Sequence, residues 1–187
     1  ADEGEPGTFK DRWILENNPH ALLESMLIAS YALNVRHCFV YIRGEFDLPY
    51  RRLAGAVEEA YAAGYFGERI LGTDFSCDIV VYRGAGAYVA GEASGLISSL
   101  EGKKGYPRNR PPRLTVKGLY QRPTVVNNVE SLSNVAWIIG HGAAAFKEVG
   151  TPKSPGTRLF SVSGHVNRPG VCEVELGCAC MKVLEVV

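Results

Sequence analysis

Apolar residues recur at helical spacing through "HALLESMLIASYALN" (20–34), where Ala21, Leu22, Leu23, Met26, Leu27 and Leu33 form one broad face. That pattern predicts an amphipathic helix opened by Asn18-Pro19 and ended at Asn34. "HCFVYIRG" (37–44) follows as a short buried strand, and "LPYRRLAGAVEEAYAAGYFG" (48–67) as a second amphipathic helix closed by Gly64 or Gly67. The apolar run "CDIVVYRG" (77–84) is the next strand. It drops through the glycine-rich turn "GAGAYVAGEA" (84–93) into a helix from about Glu92 to Leu100. The β-α-β-α order predicts an α/β fold with a largely parallel sheet.

From Gly102 to Pro123 the pattern breaks. "GKKGYPRNRPPRLTVKGLYQRP" is dense in proline, glycine and Lys/Arg, so most of it can be neither helix nor central strand. Its basic excess beside a glycine turn favours a functional loop facing an anion over a solvated linker. "TVVNNVESLSNVAWIIGHG" then predicts a helix capped by Asn127 or Asn128, with Val129, Leu132, Val135 and Ile138 inward. A short helix over "AAAFKEV" follows. Beyond "GTPKSPGT" the period changes to two, with "RLFSVSGHV" and "VCEVELG" paired around "NRPG" at the start of a small β-rich unit. The expected domains are therefore 1–155, α/β, and 156–187, β-rich.

Composition narrows the function classes. Twenty basic and twenty acidic residues cancel within 187, giving no overall charge for nucleic acid or a membrane surface. No apolar stretch reaches the ~18 residues of a spanning helix, and no signal peptide opens the chain. Five scattered cysteines suit a reducing compartment, so the expected location is cytoplasmic. The opening "ADEGEPGTFKDRW" lacks Met, and "GCACMKVLEVV" stops in mid-pattern; both ends read as cut from something longer.

The glycine turn does not fit the dinucleotide fingerprint. Gly84 and Gly86 give G-x-G, but the third position is Val89 and the next glycine is Gly91. Glu92 at the helix start suits the helix dipole but repels a phosphate. It is better placed to accept from ligand hydroxyls or amides, against the plainer reading of a tight turn with an N-terminal Glu. The carboxylates Asp2, Glu3 and Glu5, held by Gly4, Pro6 and Gly7, form either a solvated acidic turn or a rigid loop offering acceptors to ribityl or ribose hydroxyls. They lack EF-hand spacing, and Cys178-x-Cys180 lacks a second pair for zinc or iron–sulfur. With no nucleophile triad in view, any chemistry belongs to a bound cofactor.

"ADEGEPGTFKDRWILENNPH", "YIRGEF", "RGAGAYVAGE", "SLEGKKGYPRNRPP", "PTVVNNVESLSNV" and "SGHVNRPG", in this order, carry a resemblance. The chain resembles the NADH-binding flavoprotein subunit of respiratory complex I and the related flavin subunits of NAD-linked hydrogenases and formate dehydrogenases, over Ala1 to Gly177. The resemblance implies a partial Rossmann-like FMN- and NADH-binding domain followed by the start of a β-grasp domain. It implies NADH dehydrogenase activity: hydride to FMN, then single electrons to iron–sulfur clusters and ultimately quinone. By the same resemblance Asp2 and Glu3 lie on the flavin side and Glu5 faces the nicotinamide nucleotide. Tyr88 lies near the nicotinamide, and Gly91 and Glu92 lie against the flavin. Arg110 lies near NADH, while Val126, Asn127 and Asn128 approach the FMN phosphate end. The rest of the FMN phosphate site falls upstream of Ala1, and the 4Fe-4S ligands fall beyond Val187. Iron–sulfur subunits would be the partners, and the membrane is met only through the complex, at the cytoplasmic face of the inner membrane.

Two departures bear on the nucleotide. The family pattern has "GEE" where this chain has Gly91-Glu92-Ala93, and an aromatic where it has Arg113. Losing a carboxylate and gaining a guanidinium both favour tolerance of a 2′-phosphate, hence NADP(H) beside NAD(H). The alternatives are a diaphorase subunit of a soluble hydrogenase or formate dehydrogenase, and a scaffold that keeps the fold without turnover.

Overall fold

A computed structural model describes residues 1–186. Its centre is a parallel pair of strands, β1 (His37–Ile42) and β2 (Asp78–Arg83), in register from His37 opposite Asp78 to Ile42 opposite Arg83. Side chains alternate along both strands, and one face presents Cys38, Val40, Ile42 and Ile79 to the core. Helices α1 (Lys10–Asn17), α2 (Pro19–Leu33) and α3 (Asp47–Ala62) supply Leu15, Leu22, Leu23, Met26, Leu53, Ala56 and Val57 to that same cluster. The α/β class is as expected.

The ends of α2 follow local rules. Asn18 Oδ1 accepts from the Ala21 N–H at 3.3 Å, Pro19 fills the first helical position, and Asn34 turns left-handed at φ 53° to stop the helix. Helix α3 ends before Gly64, at φ 76°, rather than at Gly67. One expectation fails here. Leu33 is 57% exposed, and the whole last stretch of α2 from Tyr31 to Leu33 is exposed with it. Its inward face instead includes Ser25 and Ser30, both buried. Ser25 Oγ accepts from the Ala136 N–H at 3.1 Å, and Ser30 Oγ lies 2.9 Å from Cys38 Sγ.

Helix α4 (Ala93–Leu100) follows the glycine turn, and the irregular segment then runs with only a brief 3₁₀ turn at Leu119–Gln121. Helices α5 (Val129–His141) and α6 (Ala143–Lys147) lead to a two-residue antiparallel pair, β3 (Gly150–Thr151) and β4 (Ser154–Pro155). Strands β5 (Thr157–Val162) and β6 (Gly170–Glu175) form the antiparallel hairpin, and α7 (Cys180–Val186) ends the chain. Among the described residues the parallel sheet has only two strands, and no helix is long and apolar enough to cross a membrane.

The sequence pattern gives no helix before Asn18, yet α1 occupies Lys10–Asn17. Its N-terminus is capped at long range: the Glu3 carboxylate accepts from the backbone N–H groups of Lys10, Asp11 and Arg12 at 3.0, 2.9 and 3.3 Å. Three of the four donors that a helix start leaves unpaired are thereby satisfied.

Candidate functional site

Both parallel strands deliver their chains to the same edge, where Arg43-Gly44-Glu45 and Gly84-Ala85-Gly86 leave the sheet. In open α/β folds ligands sit outside such carboxyl ends. The two exits press together: a Cβ on Gly44 would come 2.6 Å from the Gly84 carbonyl oxygen. The glycine turn then crosses the acidic opening. A Cβ on Gly91 would lie 3.3 Å from the Asp2 carbonyl oxygen, and one on Gly4 would lie 3.4 Å from the Tyr88 ring. Segments 1–5 and 84–92 thus form one surface.

The three opening carboxylates have separate fates. Glu3 is buried and spends both oxygens on α1, while the Arg43 guanidinium donates to its carbonyl oxygen at 2.6 Å. Any contact of Glu3 with a ligand therefore comes from its backbone. Glu5 is exposed and accepts a hydrogen bond from the Tyr88 hydroxyl, which raises the Tyr88 pKa above its usual value. Asp2 is different. Its Oδ2 is buried with no hydrogen-bond partner, and burial raises its carboxyl above the usual range despite the nearby Arg43. A native fold carries few such orphans, and each calls for an explanation.

Glu92 caps α4. One oxygen accepts from the Ser94 and Gly95 N–H groups at 2.8 and 3.0 Å and from the Ser94 hydroxyl; the other pairs with Arg110 at 3.1 Å. The Ser94 hydroxyl lowers the Glu92 pKa, burial opposes it, and the helix N–H groups and Arg110 add to the lowering. As a ligand contact, Glu92 acts with oxygens that the fold already holds in place.

Of the two asparagines it is Asn128 that caps α5. Its Oδ1 accepts from the Glu130 N–H at 3.0 Å, and its Nδ2 donates to buried Asp11 at 2.7 Å. Lys10 bridges Asp11 at 2.6 Å and Glu130 at 2.7 Å. Val126 and Asn127 precede this cap, exposed. The α5 start is therefore tied to α1, whose own start is tied to Glu3.

Sequence reasoning missed Asp11, Ser94 and Arg108. Ser94 Oγ accepts from the Arg108 N–H at 2.8 Å, Arg108 Nε donates to Ser98 Oγ at 3.1 Å, and its guanidinium lies 2.8 Å from Glu101. Thr8-x-x-Asp11 has the spacing of a helix-start signal, but the N-cap of α1 is Phe9 and Glu3 satisfies the helix start instead; nothing in the local sequence marks Ser94 or Arg108. Among the described residues no group of three or more His, Cys, Asp or Glu is arranged to hold a metal.

The acceptor at Asp2 tests the flavin. A ribityl chain carries hydroxyl donors, and a buried unpartnered carboxylate oxygen is what such a donor would satisfy. The glycines at 84, 86 and 91 are required by close protein contacts, with Tyr41, Glu45 and the Asp2 carbonyl oxygen respectively, and so bring the glycine turn down against the acidic opening. The residues present fit FMN.

Comparisons with known proteins agree. The family model described as the Nuo51 FMN-binding domain matches residues 1–137. An NADH-quinone oxidoreductase subunit of Aquifex aeolicus is 48% identical over 184 residues, 98% of this chain and 43% of the relative. The corresponding NADH-quinone oxidoreductase subunit of Mycobacterium tuberculosis H37Rv is 50% identical over 185 residues, 99% of this chain and 42% of the relative. The chain thus spans less than half the length of these relatives. A crystal structure of an NAD+-reducing [NiFe]-hydrogenase in the H2-reduced state superposes with TM-score 0.89 at 44% identity, covering 98% of this chain and 31% of that one.

Proposed function

Because the chain belongs to the Nuo51 FMN-binding family, we propose that it is part of an electron-input module that oxidises NADH with bound FMN. The observation that carries the reading is the buried, unpartnered Asp2 oxygen at the crossing of the acidic opening and the glycine turn. When bound, FMN supplies a two-electron hydride acceptor that can release electrons singly.

The chain's own residues bind and orient. Asp2 accepts from the ribityl side, Gly91 admits the ring against backbone, and Glu92, held by Ser94 and Arg110, keeps its carboxylate fixed. Val126, Asn127 and the free N–H groups at the α5 start suit the phosphate end. Tyr88 and Glu5, already hydrogen-bonded to each other, form the wall against which nicotinamide is positioned. No side chain here is arranged as an acid–base pair for the transfer, which rests on orientation.

In this reading the electrons leave for iron–sulfur clusters, including a 4Fe-4S cluster whose ligands lie outside this chain, and ultimately for quinone. Iron–sulfur subunits are then the partners, with the assembly at the cytoplasmic face of the inner membrane. We place the division between the flavin domain and the first β-grasp strands near residue 155, where β3 and β4 separate α6 from the hairpin. A second reading, a diaphorase subunit of a soluble hydrogenase, is favoured by the close superposition on the NAD+-reducing hydrogenase.

The test is an anaerobic titration of the full-length, flavin-loaded protein with NADH, followed by flavin absorbance. Bleaching at stoichiometric NADH supports electron input. Retained flavin that neither NADH nor NADPH bleaches would overturn it in favour of a scaffold. Co-purifying hydrogenase rather than quinone-reducing subunits would select the second reading.

A further inference from the structure

A cavity of about 180 Å³ lies between the start of α4 and the irregular segment, bounded by Ser94, Arg108, Asn109, Arg110, Lys117 and Gln121 with apolar Pro112 and Leu114. That volume is several times the ~30 Å³ of one water in the liquid, enough for a phosphate group and the ribose edge that carries it. Three cations line it and no carboxylate does.

The charge balance is uneven. Arg108 has Glu101 behind it at 2.8 Å, and Arg110 has Glu92 at 3.1 Å. Lys117 is exposed and, among the described residues, pairs with no carboxylate. Nucleotide sites that select a free ribose 2′-hydroxyl present a carboxylate acceptor, whereas those that take a 2′-phosphate present an arginine. Here Ala93 opens α4 without an acceptor, and both oxygens of the adjacent Glu92 are engaged, one on the helix cap and one on Arg110. Of the remaining polar groups Asn109 and Gln121 can donate, whereas the Ser94 hydroxyl proton is already given to Glu92.

We propose that this cavity receives the 2′-phosphate of an adenosine nucleotide, so that the chain takes NADPH. The inference rests on the electron-input reading in one respect: that reading puts nicotinamide at Tyr88 and Glu5, which leaves the adenosine end to reach past Glu92 toward Arg110. A 2′-phosphate brings a charge of about −1.5 to −2 at neutral pH, which Lys117 and the forked guanidiniums neutralise. The pyrophosphate of any dinucleotide is the competing occupant.

The experiment titrates the full-length, flavin-loaded protein calorimetrically with adenosine 2′,5′-bisphosphate, 5′-AMP and ADP. The expected result is at least tenfold tighter binding of the bisphosphate than of either other probe, with the preference falling as salt rises. Lys117→Glu is expected to bring the bisphosphate-to-AMP ratio close to one. Equal affinities, or ADP matching the bisphosphate, would overturn the proposal. NADH bleaching in the same sample separates the two readings. Bleaching without a bisphosphate preference refutes the 2′-phosphate site alone. A bisphosphate preference without bleaching by NADH or NADPH upholds the cavity and refutes electron input.

Discussion

A carboxylate buried without a partner costs stability in the unliganded protein, on the order of 1–3 kcal/mol for an unsatisfied buried group. Asp2 is half-buried, with one oxygen, Oδ2, in that position, so the lower end of the range applies. Burial raises its pKa, so the folded state holds its proton more tightly than the unfolded chain does. Ionised Asp2 therefore opposes folding at neutral pH, and that opposition disappears as pH falls through the raised value. Asp2→Asn is expected to raise the melting temperature of the flavin-free protein by about 2–4 °C at neutral pH and to weaken FMN binding about tenfold or more. Differential scanning calorimetry and flavin equilibrium dialysis check the two halves. Glu92 behaves oppositely. The Ser94 hydroxyl and the first N–H groups of α4 hold its pKa down, so its stabilisation is complete above the ordinary glutamate value near ~4.3 and is lost as pH falls through the folded value. Glu92→Gln is expected to cost about 0.3–1 kcal/mol at pH 7, the worth of a charge at a helix start, and nothing once acid protonates the parent. Urea midpoints at both pH values measure this.

Among the elements, those with a clean period were legible: α2, β1, α3 and β2 lie where the apolar spacing puts them, because one face of each meets one core, whereas α5 forms as expected but brings only Val129 and Leu132 of its four inward candidates to that core, Val135 and Ile138 staying half-buried outside it. Helix α1 was not. Its start is satisfied by Glu3, seven to nine residues upstream, and a Gly/Pro-flanked acidic run reads as a solvated turn. The inward turn of Glu3 was invisible for the same reason, since its partners are backbone N–H groups that leave no trace in sequence. The cavity residues were legible only as a basic loop; their convergence with Ser94 depends on a fold-back that composition does not encode. The α1 and α5 starts share Asp11, Lys10, Asn128 and Glu130. Asn128→Ala removes a cap and takes the donor from one oxygen of buried Asp11, whose other oxygen keeps Lys10, so a loss of about 2 kcal/mol is expected. Asn128→Asp keeps the cap acceptor but sets a second carboxylate against Asp11, and is expected to cost more at pH 7 than at pH 4. Denaturant unfolding of both variants distinguishes capping from the Asp11 contact.

At the scale of the whole molecule, Glu130 ties α1 and α5 to the β5–β6 hairpin. Buried in α5, it accepts from the Leu159 N–H of β5 at 2.8 Å while paired with Lys10. Beside it the Phe9 N–H donates to Ser161 Oγ at 2.8 Å. The hairpin has only a small core of its own, around Cys172 and Val183. These polar ties therefore do much of the holding that apolar burial does elsewhere. Glu130→Ala is expected to lower protection of β5 and β6 amides against hydrogen exchange while β1 and β2 amides change little, since the sheet core does not touch Glu130.

The irregular segment between α4 and α5 gives the molecule another property. It reaches the rest of the fold mainly around α4, through Ser94 and Ser98 on the helix, Glu92 just before it and Glu101 just beyond it, and it contributes nothing to the main core. Apart from Arg108 and Arg110, which pair with Glu101 and Glu92, its side chains can therefore be exchanged without disturbing the main core. The segment that lines the basic cavity is thus separable, side chain by side chain, from the residues that hold the sheet together.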